Sequence, residues 1–159
     1  MGKTLVAYFS ATGTTARVAE KIAEATGGGL FEIQPATPYT SADLNWNDKR
    51  SRSTIEMNDE SCRPVISSRV DAMDAYDVVF VGFPIWWYVE PRIIDSFLEG
   101  YDFSGKTIVP FATSGGSGLG KAPQRMASIA SGARVLSGKR LNASVSQSEI
   151  DSWVAGLGL

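Results

Sequence analysis

The sequence predicts a doubly wound α/β fold, in which five parallel strands in the order 2-1-3-4-5 carry helices on both faces of the sheet. Two observations support this prediction. Strand-like apolar runs alternate with helix-like segments along the chain, and the run 78–83 contains no polar side chain, as expected of a strand buried on both faces. With 159 residues, of which 43% are hydrophobic, the chain is long enough for one core, and we expect residues 1–159 to form a single domain.

The start of the chain is expected to form a strand, a helix and a second strand. An apolar run ends at Phe9, and the pattern that follows places Val18 and Ile22 on one helical face. Three glycines at 27–29 end this helix, and the second strand is expected at 30–33.

A long excursion, residues 35–76, separates the second strand from the third. We expect a polar helix over 42–57 and an extended segment at 63–66. An excursion of this length is unusual in a compact domain and is often functional.

The second half of the chain continues the alternation of strands and helices. A helix opened by Pro91 follows the third strand, and the fourth strand is expected at 106–112. A helix over about 120–131 leads to the fifth strand at 133–136. Ser146, with a glutamate three residues later, caps the final helix.

The composition excludes several classes of function. The chain has no histidine, which excludes His-based acid–base catalysis and ordinary zinc sites, so we assign no catalytic residue and no metal ligand. The single cysteine, Cys62, cannot form an internal disulfide. A net charge of −2 without long charge runs argues against nucleic-acid binding. Since no membrane-length apolar run or signal-peptide pattern is present, we expect a cytoplasmic protein that does not bind membranes.

The loop after the first strand carries the features of a phosphate site. Its residues are Ser10, Ala11, Thr12, Gly13, Thr14 and Thr15. A helix N-terminus offers unpaired N–H groups and the positive end of its dipole, and hydroxyl side chains add further donors. The loop lacks the glycine pattern of a P-loop or of a dinucleotide fingerprint. The alternative is an ordinary capped helix, for which Ser10 or Thr12 would be enough.

The loop after the third strand contains three adjacent aromatic residues. Trp86, Trp87 and Tyr88 follow Pro84 and Ile85. Loops lie at the surface, where exposed indoles are unfavourable unless a partner covers them. A flat aromatic ligand could stack there. Alternatively, one of the two tryptophans packs inward, and the sequence does not decide which.

The loop after the fourth strand is rich in glycine. Thr113 and Ser114 precede Gly115, Gly116 and Gly118. Glycines let the backbone approach a ligand closely and turn N–H groups toward it, which suits the carbonyl edge of a heterocycle. The alternative is a flexible loop before a helix.

These three loops follow strands whose carboxyl ends lie at one edge of the predicted sheet. Together they resemble the FMN site of flavodoxins, and the match runs over essentially the whole chain. In the first loop and helix the matching residues are Tyr8, Ser10, Gly13, Thr15, Ala19 and Ile22, at the family's spacing. Ala7 is smaller than the residue usual at its position. The fifth strand has no room for a large insertion, as in short-chain flavodoxins.

The resemblance implies FMN as the cofactor. Ser10 and residues 12–15 would hold the ribityl phosphate, and Pro84 with the two tryptophans would lie against the isoalloxazine ring. Thr113, Ser114, Gly115 and Gly118 would bond the pyrimidine side. Ala11, Ile85 and Gly116, within the same loops, are also expected to contact FMN.

The resemblance further implies electron transfer. We expect a monomeric, low-potential one-electron carrier with two redox partner proteins, a reductase and an electron acceptor. The alternative is an NAD(P)H-dependent FMN or quinone reductase on the same fold, with a pocket around Tyr39 and Trp46 in the long excursion. A third class, an FMN-binding regulatory or storage module, has no positive feature in the sequence.

Two departures from the flavodoxin pattern bear on this function. No glycine stands in 84–91, where flavodoxins often have one whose peptide flip stabilises the one-electron-reduced flavin. The small net charge also gives little electrostatic steering toward basic partners. A local acidic patch formed by Glu90, Asp95, Glu99 and Asp102 remains as a source of such steering.

Overall fold

The computed structural model describes residues 3–114 and 116–159, and Gly115, one of the expected FMN contacts, lies outside them. The strands are β1 (Lys3–Tyr8), β2 (Gly29–Glu32), β3 (Tyr76–Pro84), β4 (Thr107–Thr113), β5 (Arg134–Val135) and β6 (Lys139–Leu141). The helices are α1 (Thr14–Thr26), α2 (Arg52–Met57), α3 (Arg92–Glu99), α4 (Ala122–Ile129) and α5 (Gln147–Gly156), with a 3₁₀ turn at Met73–Ala75.

The described strands form one sheet in the order β2-β1-β3-β4-β5, and β6 also pairs with β4. The strand pairings are parallel, and Val6 of β1 stands between Leu30 of β2 and Phe80 of β3. This confirms the predicted fold class and strand order. The order reverses at β1 and β3, so the loops after these two strands open on the same crevice.

The central strand β3 packs against helices on both sides, because successive side chains point to opposite faces. Val79 and Val81 belong to a core layer with side chains of α3 and α4. Val78 and Phe80 belong to a second layer, with side chains of α1 and α5. The unbroken apolar run that identified this strand is therefore a consequence of burial on both faces.

The ends of two helices agree with the sequence signals. Gly27, with a φ of 69°, ends α1 in the left-handed conformation that glycine adopts without strain. Ser146 caps α5, where its Oγ accepts a hydrogen bond from the backbone N–H of Glu149 at 3.1 Å.

The helix expected over 42–57 is much shorter than predicted. Only Arg52–Met57 is helical, beginning after the cap Ser51, and turns occupy most of 41–51. Side chains bond nearby backbone N–H groups in this segment: Asn45 accepts from Asn47 and Asp48 from Arg50. Such local bonds offer the backbone an alternative to the helix, which is why a polar pattern overpredicted it.

The fifth strand expected at 133–136 is shorter than predicted, and a further short strand, β6, follows it and was not predicted. β5 pairs with Thr107 and Ile108, and β6 pairs with the end of β4 from Phe111 onward. Gly138 lies between them with a φ of 74°, and a Cβ there would lie 2.2 Å from the carbonyl oxygen of Pro110. The chain therefore bends at a position that only glycine can occupy without strain.

Candidate functional site

The first loop leaves the N-terminus of α1 open. Gly13 is the N-cap, with a φ of 94°, and no side chain caps the helix through the usual bond. Ser10 instead organises the loop, because its Oγ accepts hydrogen bonds from the N–H groups of Gly13 at 3.0 Å and Ala16 at 3.2 Å. The capped-helix alternative thus accounts for part of this loop only.

Three backbone donors of the loop remain available. The N–H groups of Thr12, Thr14 and Thr15 have no acceptor among the described residues. They belong to the loop and first turn at the positive end of a helix of 13 residues, which is a favourable place for a phosphate dianion. The loop itself contains no charged side chain, so this donor set fits the phosphate of FMN through hydrogen bonds and the helix dipole.

The hydroxyls of Thr15 and Thr113 bind each other. Their Oγ1 atoms lie 2.7 Å apart, and both residues are buried. From the sequence, Thr15 was expected at the phosphate and Thr113 at the pyrimidine edge. The contact instead joins the first loop directly to the end of β4, across 98 residues of sequence.

The aromatic run forms a tight hairpin, residues 86–89, which we call the aromatic hairpin. The backbones of Trp86 and Val89 exchange two hydrogen bonds, of 3.0 and 3.2 Å. The two turn residues, Trp87 and Tyr88, both have positive φ, of 49° and 69°. Two-residue hairpins favour this conformation, but they normally place Asn and Gly there. Bulky residues in it cost roughly 1–3 kcal/mol each and persist where function requires them.

The two tryptophans have different environments. The ring of Trp86 packs edge-on against Phe9 and Tyr39, with centroid distances of 5.6 and 5.3 Å. Trp87 is 40% exposed and Tyr88 is 73% exposed. Trp86 is therefore the tryptophan that packs inward, and Trp87 is the one that faces outward.

A cavity of about 640 Å³ lies between the first loop and the aromatic hairpin. The lining residues are Ala11, Thr12, Leu44, Trp46, Ser53, Pro84, Ile85, Trp86, Trp87, Tyr88 and Ser117. Six of them were predicted FMN contacts, from two separate loops. None of the lining side chains carries a formal charge at neutral pH, and this apolar, aromatic character suits a flat heterocycle.

The remaining predicted contacts that the structure describes do not line this cavity. Ser10 and residues 13–15 lie in the adjoining phosphate loop. Among the described residues of the glycine loop only Ser117 reaches the cavity, while Gly116 and Gly118 are exposed, with nothing near where a Cβ would stand. Ser114 is engaged within its own region, since its Oγ accepts from the N–H of Gly116 and its carbonyl oxygen accepts from Arg140.

Five lining residues were not among the predicted contacts. Tyr88 and Ser117 neighbour predicted residues, and Trp46 was singled out only for a reductase pocket. Leu44 and Ser53 come from the turns and helix of the long excursion and carry no signal in the sequence. Only the folding of this segment over the sheet edge brings them to the cavity.

Tyr39 connects the long excursion to the aromatic hairpin, because its ring packs against the ring of Trp86. Its hydroxyl donates to Glu56, and the guanidinium of Arg52 lies 3.9 Å from its ring centroid. Burial, with the adjacent Glu56 carboxylate, raises the pKa of the Tyr39 hydroxyl far above its usual range. Tyr39 therefore packs against Trp86 but does not line the cavity itself.

Of the four residues expected to form an acidic surface patch, Glu99 and Asp102 are exposed, but the expectation is wrong for Glu90 and Asp95. Glu90 and Asp95 are fully buried, because both pair with Arg125. Burial is the main cause that raises the pKa of Glu90 to about 8, and the adjacent Asp95 adds to the increase. These carboxyls are internal and cannot attract a basic partner by direct contact.

Two similar solved structures, each provisionally designated a flavoprotein, come from Bacteroides eggerthii and Bacteroides uniformis. The first is 50% identical with a TM-score of 0.94, covering 100% of this chain and 99% of that one. The second is 49% identical with a TM-score of 0.92, covering 97% and 98%. A comparison with curated protein sequences gives no match.

A more distant structure shows the same fold. It is a flavoprotein from Lactobacillus acidophilus in complex with FMN, 24% identical with a TM-score of 0.69, covering 97% of this chain and 99% of that one. Among the helices of 3–114 and 116–159, none is long and apolar enough to cross a membrane. These same residues contain no cluster of three potential metal ligands among Cys, Asp and Glu.

The family model described as Flavodoxin matches residues 3–157, almost the whole length of the chain. The match agrees with the strand order and with the resemblance seen in the phosphate loop. This chain belongs to the flavodoxin family.

Proposed function

We propose that this chain is an FMN-binding electron-transfer protein that passes electrons from a reductase to an acceptor protein. Membership of the flavodoxin family supports FMN as the cofactor. Bound FMN would supply the redox chemistry, and the protein would hold it and set its potential.

One observation carries this proposal: an open set of phosphate donors adjoins an uncharged aromatic cavity. Ala11 and Thr12 belong to both, because they are in the phosphate loop and line the cavity. A ligand with a phosphate at one end and a flat ring at the other would fit this arrangement, and FMN has that shape. The open N–H groups would hold the phosphate, and the aromatic hairpin would cover the ring.

The uncharged surroundings favour a low potential. Neither the phosphate loop nor the cavity lining offers a cationic side chain to offset added negative charge. Charge in an apolar site is poorly solvated, so the site should disfavour full reduction of the ring. We expect the second-electron potential of the bound flavin to lie below that of free FMN, and spectroelectrochemical titration measures it. A potential at or above that of free FMN contradicts this reasoning.

The exposed edge of the site favours a protein partner. Trp87 and Tyr88 line the cavity and are also partly open to solvent, so an approaching protein could reach the margin of the ring. Direct protein contact at that margin is what an electron carrier requires. Burial of the two acidic residues leaves shape and apolar contact as the main means of recognition at this edge.

The reductase alternative is supported by a different observation. Leu44, Trp46 and Ser53 extend the cavity wall from the long excursion, and Trp46 is 71% exposed. An aromatic side chain facing the same cavity could cover a nicotinamide or a quinone. The pocket was expected around Tyr39 and Trp46; of these two, Trp46 lines the cavity and Tyr39 does not, so the pocket on the Trp46 side is the second candidate.

Anaerobic titration of the FMN-loaded protein distinguishes the two functions. A carrier should stay oxidised with NADH or NADPH alone and bleach with dithionite. Prompt bleaching by either nucleotide, without a partner protein, would establish the reductase.

A matched pair of variants tests whether Trp46 takes part in flavin reduction by a nicotinamide nucleotide. Under the reductase hypothesis, Trp46→Ala should slow flavin reduction by the nucleotide, whereas dithionite reduction should be unchanged. Ile55→Ala is the control, because Ile55 is similarly exposed in α2 but does not line the cavity. Equal rates in both variants would remove Trp46 from the nucleotide or quinone pocket.

A further inference from the structure

A cluster of buried charges lies directly after the aromatic hairpin. Glu90 follows Val89 in sequence, and neither Glu90 nor Asp95 of α3 is exposed to solvent. Arg125 of α4 contacts both: its Nε lies 3.2 Å from Oε2 of Glu90, and its Nη2 lies 3.3 Å from Oδ2 of Asp95. The cluster thus connects the hairpin with the two helices on that face of the sheet.

Each carboxyl group of this pair has one oxygen without a partner. Oε1 of Glu90 and Oδ1 of Asp95 are buried and accept no hydrogen bond from the described residues. Both carboxyl groups contact the same guanidinium, that of Arg125, which holds them side by side. Two buried carboxylates in such contact repel, whereas one proton between them supplies the missing bond for both.

Other charged groups face the pair from every neighbouring element. Arg92 of α3 and Arg63, before β3, lie 3.8 and 3.9 Å from Oδ2 of Asp95. Arg125 also reaches the exposed Glu60 at 3.4 Å. The arginines remain charged at any relevant pH. All three lie within 4 Å of Oδ2 of Asp95, whereas among them only Arg125 contacts Glu90. Asp95 is therefore the member that keeps the negative charge, and Glu90 is the member that holds the proton, in agreement with its raised pKa.

We propose that Glu90 and Asp95 share one proton, and that this proton fastens the aromatic hairpin to α3 and makes FMN binding sensitive to pH. The proposal rests on the proposed function for its second half, because the hairpin is the expected cover of the flavin ring. Glu90 and Asp95 act as positioning residues. Loss of the proton places two carboxylates in contact and releases the hairpin that carries Trp86 and Trp87.

The proton itself is tested on the apoprotein. The pKa of Glu90 is about 8 when folded, against 4.5 ordinarily, so the folded chain keeps a proton that the unfolded chain releases. Stability must then fall as pH rises from about 4.5 to about 8, and the fall must level off above that. Glu90→Gln supplies a permanent amide donor, so its Tm should rise relative to wild type over this window.

The control is Glu60→Gln. Glu60 contacts the same Arg125, but its side chain is 80% exposed. The substitution therefore removes a carboxylate from Arg125 without affecting the proton shared by Glu90 and Asp95. Its Tm should follow the wild-type pH profile. Asp95→Asn places a donor on the other side of the pair and should likewise reduce the dependence of Tm on pH, but from a lower Tm, because three arginines lose the carboxylate they share. It keeps the test open if Glu90→Gln folds poorly.

FMN binding is then measured by fluorescence quenching at pH 7 and pH 9. If only the protonated pair holds the hairpin in place, about one molecule in eleven can bind FMN at pH 9. The Kd for FMN should therefore be roughly tenfold weaker at pH 9 than at pH 7. Glu90→Gln should change by less than about twofold over the same range. Ionisation of free FMN affects all the proteins equally and cancels in the comparison.

The outcomes are distinct. Parallel Kd profiles for wild type and Glu90→Gln overturn the link to FMN, and parallel Tm profiles overturn the shared proton. If Glu60→Gln also loses the pH dependence, the effect belongs to Arg125 and the proposal is wrong. Failure to bind FMN at any pH refutes the proposed function, and the Tm profiles still decide whether the pair shares a proton.

Discussion

The hydrogen bond between Thr15 and Thr113 should be visible in a double-mutant cycle. We expect Thr15→Val and Thr113→Val each to destabilise the apoprotein, because each leaves one buried hydroxyl without its partner. The double variant removes both hydroxyls and replaces them with methyl groups of similar shape. It should therefore be much more stable than the sum of the single effects indicates.

The size of the effect follows from the burial of both residues, which are 2% and 7% exposed. An unsatisfied buried hydroxyl costs about 1–3 kcal/mol, so each single variant should lose that amount of unfolding free energy. For a chain of this length the corresponding fall in Tm is roughly 3–10 °C. The coupling energy between the two sites should lie within the 0.5–3 kcal/mol found for residues in contact.

Urea unfolding, followed by far-UV circular dichroism, measures these free energies without relying on tryptophan near the site. A double variant that loses the full sum of the two single losses would show that the hydroxyls do not interact. The same proteins also separate stability from cofactor binding. If Thr15 contacts the phosphate, both variants lacking its hydroxyl should bind FMN more weakly than Thr113→Val.

Four further substitutions test other contacts. Ser10→Ala removes the acceptor for two loop N–H groups, so we expect a loss of about 1–2 kcal/mol by urea unfolding and weaker FMN binding. Tyr88→Gly relieves a positive φ on an exposed side chain and should raise the apoprotein Tm by about 2–4 °C; no rise would mean that the turn is unstrained. Trp87→Ala should weaken FMN binding in a fluorescence titration while altering stability by less than about 1 kcal/mol, and undiminished affinity would remove Trp87 from the ring site. Gly82→Ala places a Cβ 2.1 Å from the ring of Phe111, so a loss of about 3 kcal/mol is expected, and a fully stable variant would contradict this packing.

Local patterns were sufficient for the first four strands, the larger helices and the order in which the three loops follow the strands. Apolar runs report burial, and the ends of α1 and α5 follow from glycine and serine at their boundaries. Where local side-chain bonds compete with the helix, as at Asn45 and Asp48, the same patterns overpredicted helix. The short strand β6, which follows the bend at Gly138, was not predicted.

The sequence by itself determined the fold class and the family resemblance, and it predicted which loops form the candidate site, because these depend on periodicity and on residue types within one loop. The tertiary structure decided which side chains meet. Trp86 faces inward because Phe9 and Tyr39 pack against it. Neither contact can be predicted from the spacing of the aromatic run. The acidic residues beside that run looked like a surface patch until folding brought Arg125 from α4 against Glu90. Burial and ion pairing are properties of neighbours distant in sequence, so only the folded chain could show that these charges are internal.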